Sequence, residues 1–191
     1  MKGKLLLVIG PTGSGKSALL AHVREAMPEL VFPVSCTTRP MRPGETEGVN
    51  YYFVSTEEFE KRVALGEFLE WKHTDGKRYG TLKKEILTPL EEGKTVLREV
   101  EIRGARDILG GLVPRSQVYT IYIDGGSWEH LEKRILKRAS MGEAELESRK
   151  QRFLEESAFK KEANIVIHNE EGKLEDAKRE FEAAIRSIMQ K

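Results

Sequence analysis

A chain of 191 residues is long enough for one domain with a sizeable core and room for subdomains. Its formal net charge is +1, and the 33% of charged residues mix both signs, which excludes a global field that would gather nucleic acid or an anionic membrane surface. Cys36 is the only cysteine, so an intrachain disulfide framework is impossible and a reducing cytoplasmic setting is expected.

In chain order, the opening MKGKLLLVIG has a short apolar run, but no small-residue cleavage site follows, so residues 4–10 read as a doubly buried strand and not as a signal peptide. No apolar stretch approaches the ~20 residues of a membrane span. SGKSALLAHVREAM carries helical spacing and ends before Pro28. Residues 33–55 are rich in Pro, Gly and Thr, with YYFV as a strand. Ser55 and Glu58 form a capping box that opens a short helix to about Leu65. GEFLEW reads as a strand and RYGT as a turn; a helix follows from Lys83 to about Glu92 despite Pro89. TVLREVEI and QVYTIYI are buried strands, and SWEHLEKRILKRA is a helix with Ser127 as its cap. A polar helix resumes near Glu145 and runs to about Lys161, NIVIHN is the last strand, and KLEDAKREFEAAIRSIM closes the chain as an amphipathic helix. Alternating strands and helices at both ends predict an α/β fold, a parallel sheet flanked by helices, interrupted by an insertion from 33 to about 83.

GPTGSGKS at residues 10–17 matches G-x-x-x-x-G-K-[ST] between a predicted strand and a predicted helix. Glycines let backbone N–H groups turn toward phosphate oxygens, the helix N-terminus adds a favourable dipole, Lys16 brings positive charge, and Ser17 supplies a hydroxyl for Mg2+. This loop alone fits a kinase, a GTPase or a motor equally. The segment SCTTRPMRPGE narrows the field. Arginine forks and hydroxyls, here Arg39, Arg42, Tyr51 and Tyr79, are what a second phosphate needs. The carboxylates of Glu45 and Glu70 are out of place beside a phosphate, but guanine offers N1–H and 2-amino donors that a carboxylate accepts. Adenine leaves the same carboxylate unpaired, a mismatch that discriminates by ~10⁴.

Together GPTGSGKS, SCTTRPMRPGE, GVNYYFVSTEEF, GEFLEW, YGT, Gly104-Ala105, LEKRILKR and IVIHN resemble the guanylate kinase family in order and spacing over nearly the whole chain. The resemblance implies a P-loop NTPase core (1–32, 84–125 and 156–191), an inserted GMP-binding subdomain (33–83) and a helical lid (126–155). It implies transfer of the ATP γ-phosphate to GMP, and to dGMP, with Mg2+, in purine nucleotide metabolism. Carried over by motif, Gly10, Pro11, Thr12, Gly13, Ser14, Gly15, Lys16, Ser17 and Ala18 wrap the ATP phosphates, and Asn169 lies near adenine. Arg39 and Arg42 grip the GMP phosphate with the Tyr51 and Tyr79 hydroxyls, Glu70 receives the guanine N1 and N2 protons, Ser35 and Thr81 sit at the guanine edge, and Glu45 supports the arginine loop or the acceptor site. Arg134, Arg138 and Arg149 close on the phosphates from the lid, with Lys16, Arg42, Arg138 and Arg149 in catalytic roles.

The chain also departs from the family. Where a D-x-D-x-Q-G-A segment is usual, it has Glu99, Glu101 and Arg103. The first acid is implied beside Mg2+ through water and the second near guanine, each lengthened by a methylene, about 1.3 Å of reach. Arg103 is expected to pair with one of them. Gly125-Gly126 replaces Pro-Pro, and Arg138-Ala139-Ser140 replaces R-G-T. The expected partners are ATP and GMP, with neither nucleic acid nor membrane, and the assembly a monomer or a homodimer. A P-loop kinase for another phosphorylated acceptor and a non-catalytic interaction module remain as alternatives.

Overall fold

The structure, a computed structural model, describes residues 3–74, 76–111, 113–138 and 141–191. The side chain of Arg138, and Ala139 and Ser140, which the sequence singles out in the lid, lie outside the described residues.

The core is a four-stranded parallel sheet in the order β6-β1-β7-β8, formed by β1 (Lys4–Ile9), β6 (Thr95–Glu99), β7 (Val118–Asp124) and β8 (Ile165–His168). Alternation along the strands feeds two apolar layers, as a sheet covered on both faces requires. Leu6, Val8, Ile121 and Ile123 pack with α1 (Lys16–Ala26) and α7 (Leu174–Met189) through Leu19, Val23, Phe181 and Ile185. Leu5, Leu7, Val96 and Tyr122 pack with α3 (Lys84–Glu91) and α4 (Ile102–Leu109) through Ile86, Leu90, Ala105 and Ile108. The alternation of strands and helices therefore builds the α/β core expected from the sequence.

The insertion has its own sheet, ordered β3-β2-β5-β4: β2 (Ser35–Thr37), β3 (Tyr52–Phe53), β4 (Phe68–Thr74) and β5 (Lys77–Leu82). Helix α2 (Thr56–Ala64) covers it. Its small core is Cys36, Phe59, Phe68 and Leu82, with the Phe59 and Phe68 rings stacked at 4.3 Å. Ser55 caps α2, accepting from the Glu58 N–H at 3.1 Å, but the Glu58 carboxylate turns to Arg62 Nε at 2.8 Å, so the capping box is half made.

Three local expectations are corrected. RYGT is not a turn but the middle of β5, paired with β2 on one side and β4 on the other. Gly80 serves close approach, since a Cβ there would stand 2.7 Å from Phe68 Cδ1 and 2.9 Å from Trp71 Cβ. The strand at TVLREVEI stops at Glu99, and Ile102 already opens α4, a helix the chain-order reading lacks. The chain between β7 and α5 (Trp128–Arg138) passes through Gly126 at φ +90°, a conformation closed to proline. The polar helix expected from Glu145 is α6 (Glu143–Ala158), followed by a short 3-10 turn at Phe159–Lys161.

Candidate active site

Strands β1, β6 and β7 end at Ile9, Glu99 and Asp124 on one edge of the core, the edge where ligands of open α/β sheets collect. Between that edge, β4 and β5 of the insertion, and α5 and α6 runs a cleft of about 980 Å³.

At one end lies the loop of residues 10–17. Gly15 precedes α1 at φ +93°, and a Cβ there would stand 2.1 Å from Asn169 Nδ2. That amide donates to the Ser14 carbonyl at 2.7 Å, and the Asn169 carbonyl accepts from Arg134 Nη1 at 3.0 Å. Arg134 also reaches the Gly13 carbonyl at 3.4 Å. Asn169 and Arg134 thus brace the loop's backbone. Asn169 is buried, and its side chain acts as a strut behind the loop. Lys16 Nζ folds over the loop, donating to the Gly10 and Pro11 carbonyls at 2.5 and 3.1 Å, and stands 3.6 Å from Glu99 Oε1. Thr12 and Ser17 are exposed, and Ala18 lies in the first turn of α1.

At the other end, the arginine loop is held from within. Glu45 takes the Arg39 fork in both oxygens, at 2.7 and 2.9 Å, and accepts from the Arg42 N–H at 2.7 Å. The Arg39 bond, then the Arg42 amide, hold the Glu45 carboxyl down to about 2. Arg39 also donates to the Pro40 carbonyl and lies over the Tyr51 and Phe53 rings at 5.4 and 5.5 Å. The Arg42 side chain is exposed and has no side-chain partner among the described residues. Tyr51 and Tyr79 meet edge to face at 6.1 Å, and both line the cleft.

Between the two ends runs a hydrogen-bonded row set by strand register. Ser35 pairs with Thr81 across β2 and β5, and Thr81 with Glu70 across β5 and β4. The Ser35 and Thr81 hydroxyls are 3.4 Å apart, Thr81 Oγ1 donates to Glu70 Oε1 at 3.1 Å, and Arg98 Nη2 donates to the same oxygen at 2.5 Å. Glu101 pairs not with Arg103 but with Lys72, at 2.9 Å, and that bond lowers its carboxyl first of all. Arg149 lines the cleft from α6 and bonds Glu145 at 2.8 Å.

The structure thus brings together the loop of residues 10–17, Glu99, Glu101, Ser35, Glu70, Thr81, Tyr51, Tyr79 and Arg149. It leaves the Arg39 fork engaged by Glu45 and the Arg42 side chain outside the cleft wall. Sequence reasoning missed Arg98, Lys72, Arg152 and Glu156, all of which line the cleft. Burial raises the Glu156 carboxyl, with Lys16 opposing. An arginine inside the buried run TVLREV was the legible signal for Arg98.

Mg2+ takes hard oxygen ligands and keeps several waters, binding through one or two side chains and the substrate's phosphates. Ser17, next to Lys16 in the chain, and Glu99, 3.6 Å from Lys16 Nζ, carry oxygen donors of that kind. Among the described residues, no group of three or more His, Cys, Asp or Glu could hold a metal alone.

A family model described as guanylate kinase matches residues 2–188. The chain is 38% identical to a guanylate kinase of Thermotoga maritima over 98% of this chain and 88% of that one. It is 41% identical to a guanylate kinase of a Synechococcus strain over 96% of this chain and 82% of that one. The crystal structure of guanylate kinase from Anaplasma phagocytophilum superposes with a TM-score of 0.69 at 27% identity, covering 100% of this chain and 88% of that one. With that match spanning both the phosphate loop and the inserted sheet, the chain belongs to the guanylate kinase family.

Proposed function

We propose that the protein transfers the γ-phosphate of ATP to GMP, and to dGMP, giving ADP and GDP or dGDP in purine nucleotide metabolism. The observation that carries this reading is a single cleft with a phosphate loop at one end and the Ser35–Thr81–Glu70 row beside the Arg39–Arg42 loop at the other. ATP lies with its phosphates along residues 10–17, and GMP lies with its base toward Glu70 and its phosphate toward Arg39, Arg42, Tyr51 and Tyr79.

Two anionic reactants repel each other, so the chain's cations do most of the work. Lys16 leaves its backbone carbonyls for the transferred group. Arg42, whose side chain has no partner among the described residues, turns inward, while Glu45 keeps Arg39 in place. Arg138 and Arg149 approach from the lid segment of residues 126–155, which excludes water as it closes. Mg2+ held by Ser17, and by Glu99 through water, would supply further charge neutralisation on the ATP phosphates. The acceptor oxygen is already anionic, so no strong general base is required. No helix among the described residues is long and apolar enough to cross a membrane, and the lone Cys36 is a free thiol; we place the reaction in the cytoplasm, carried out by a monomer or a homodimer.

Steady-state turnover with ATP and GMP, AMP, UMP or CMP tests the reading. GMP is expected to be the preferred acceptor by ~10⁴ in kcat/KM over AMP. Equal turnover of AMP and GMP would refute the role given to Glu70.

A further inference from the structure

Arg98 occupies a costly position. It follows Val96 and Leu97, both sealed in the core, on a strand whose neighbours are apolar. Its side chain is only 12% exposed. A guanidinium in such a place is held by its partners or not tolerated. Yet among the described residues its five N–H groups find one side-chain acceptor, Glu70 Oε1 at 2.5 Å. Its Nε is sealed from solvent and without a partner among the described residues. Nη1, also without an acceptor among the described residues, is not sealed in this way, and Arg98 is part of the cleft wall.

The pairing also polarises Glu70. Thr81 and Arg98 both donate to Oε1, and Oε2 has no donor among the described residues. The cleft therefore carries, side by side, an open cationic donor and an open carboxylate oxygen. A 6-oxopurine has the complementary edge: the O6 acceptor next to the N1–H donor. A 6-aminopurine has the reverse, an amino donor next to a bare N1, which sets donor against donor and acceptor against acceptor.

We propose that Arg98 is a specificity-determining residue of the acceptor site, reading O6 of the base through Nη1 while it pins Glu70 so that Oε2 receives N1–H. This rests on the placement of the GMP base at Glu70 and deepens it: Arg98 and Glu70 act as one reading pair for the edge that guanine and hypoxanthine share.

The test is equilibrium binding of GMP, IMP and AMP to the wild-type protein and to the Arg98→Met, Arg98→Lys and Glu70→Gln variants, with AMP measured by competition. Loss of a charged hydrogen bond predicts that Arg98→Met weakens GMP and IMP alike by roughly tenfold to a hundredfold and moves AMP by less than about threefold. Arg98→Lys, which keeps the charge for Glu70 without the planar fork, is expected to show the same selective loss to a smaller degree, and it decides the matter if the Met variant fails to fold. Equal weakening of all three nucleotides would mean that Arg98 only supports the fold, and unchanged GMP and IMP binding would mean that it does not read the base; either overturns the proposal. If Glu70→Gln weakens GMP while Arg98→Met does not, Arg98 alone has been misassigned. If Glu70→Gln also leaves GMP binding unchanged, the placement of the base at Glu70 falls as well.

Discussion

Glu45 shows how one carboxylate can organise a cationic loop. It holds the Arg39 fork and the Arg42 amide together, and its carboxyl is lowered to about 2 by those bonds. A carboxylate whose folded value lies below its unfolded one stabilises the fold fully above the unfolded value and loses that contribution as pH falls through the folded one. The difference in urea stability between the wild-type protein and Glu45→Gln is therefore expected to be constant from neutral pH to about 4.5, and to shrink toward zero as pH approaches 2. A constant difference across that window would mean that Glu45 does not hold the loop through its charge. At neutral pH the same variant is expected to raise the KM for GMP, because an unheld arginine loop must be ordered at the expense of binding.

Among elements, β5 is the one whose sequence misleads most. Tyr79-Gly80-Thr81 has the look of a turn, and a single sequence offers no way to see that Gly80 yields to the Phe68 ring and to Trp71. Only the neighbouring strands give it that role. Gly80→Ala would overpack the insertion and is expected to cost about 1–3 kcal/mol in chemical unfolding, with a loss of GMP affinity because Tyr79 and Thr81 flank it. A neutral substitution would show that β4 and β5 separate easily. The phosphate loop is the opposite case. Its glycines, lysine and serine fall in a fixed local pattern between a strand and a helix, so the sequence suffices to place it. The resemblance placed Asn169 near adenine, but its buried bond behind Ser14 was not legible, because a contact across 155 positions leaves no local trace. Helix α4 escaped because the apolar run of β6 continues into it at Val100 and Ile102, and the change of period begins only there.

For the whole molecule, the arrangement rather than any one motif carries the function. The core sheet brings Lys16 and Glu99 to one edge, and the inserted sheet faces that edge with Glu70 and Tyr79. Two ion pairs of opposite sense, Glu70–Arg98 and Lys72–Glu101, join β4 of the insertion to the core at the end of β6. The overall α/β plan follows from alternation, and the inserted sheet from the Pro- and Gly-rich break after residue 32. The cross-links between parts do not, since each depends on two segments meeting in space. A crystal structure of the protein with bound GMP tests the central claim most directly. The account predicts the nucleotide in the cleft, its base edge within hydrogen-bonding distance of Glu70 and its phosphate among Arg39, Arg42, Tyr51 and Tyr79. GMP bound elsewhere on the molecule, or no bound nucleotide at millimolar ligand, would contradict it.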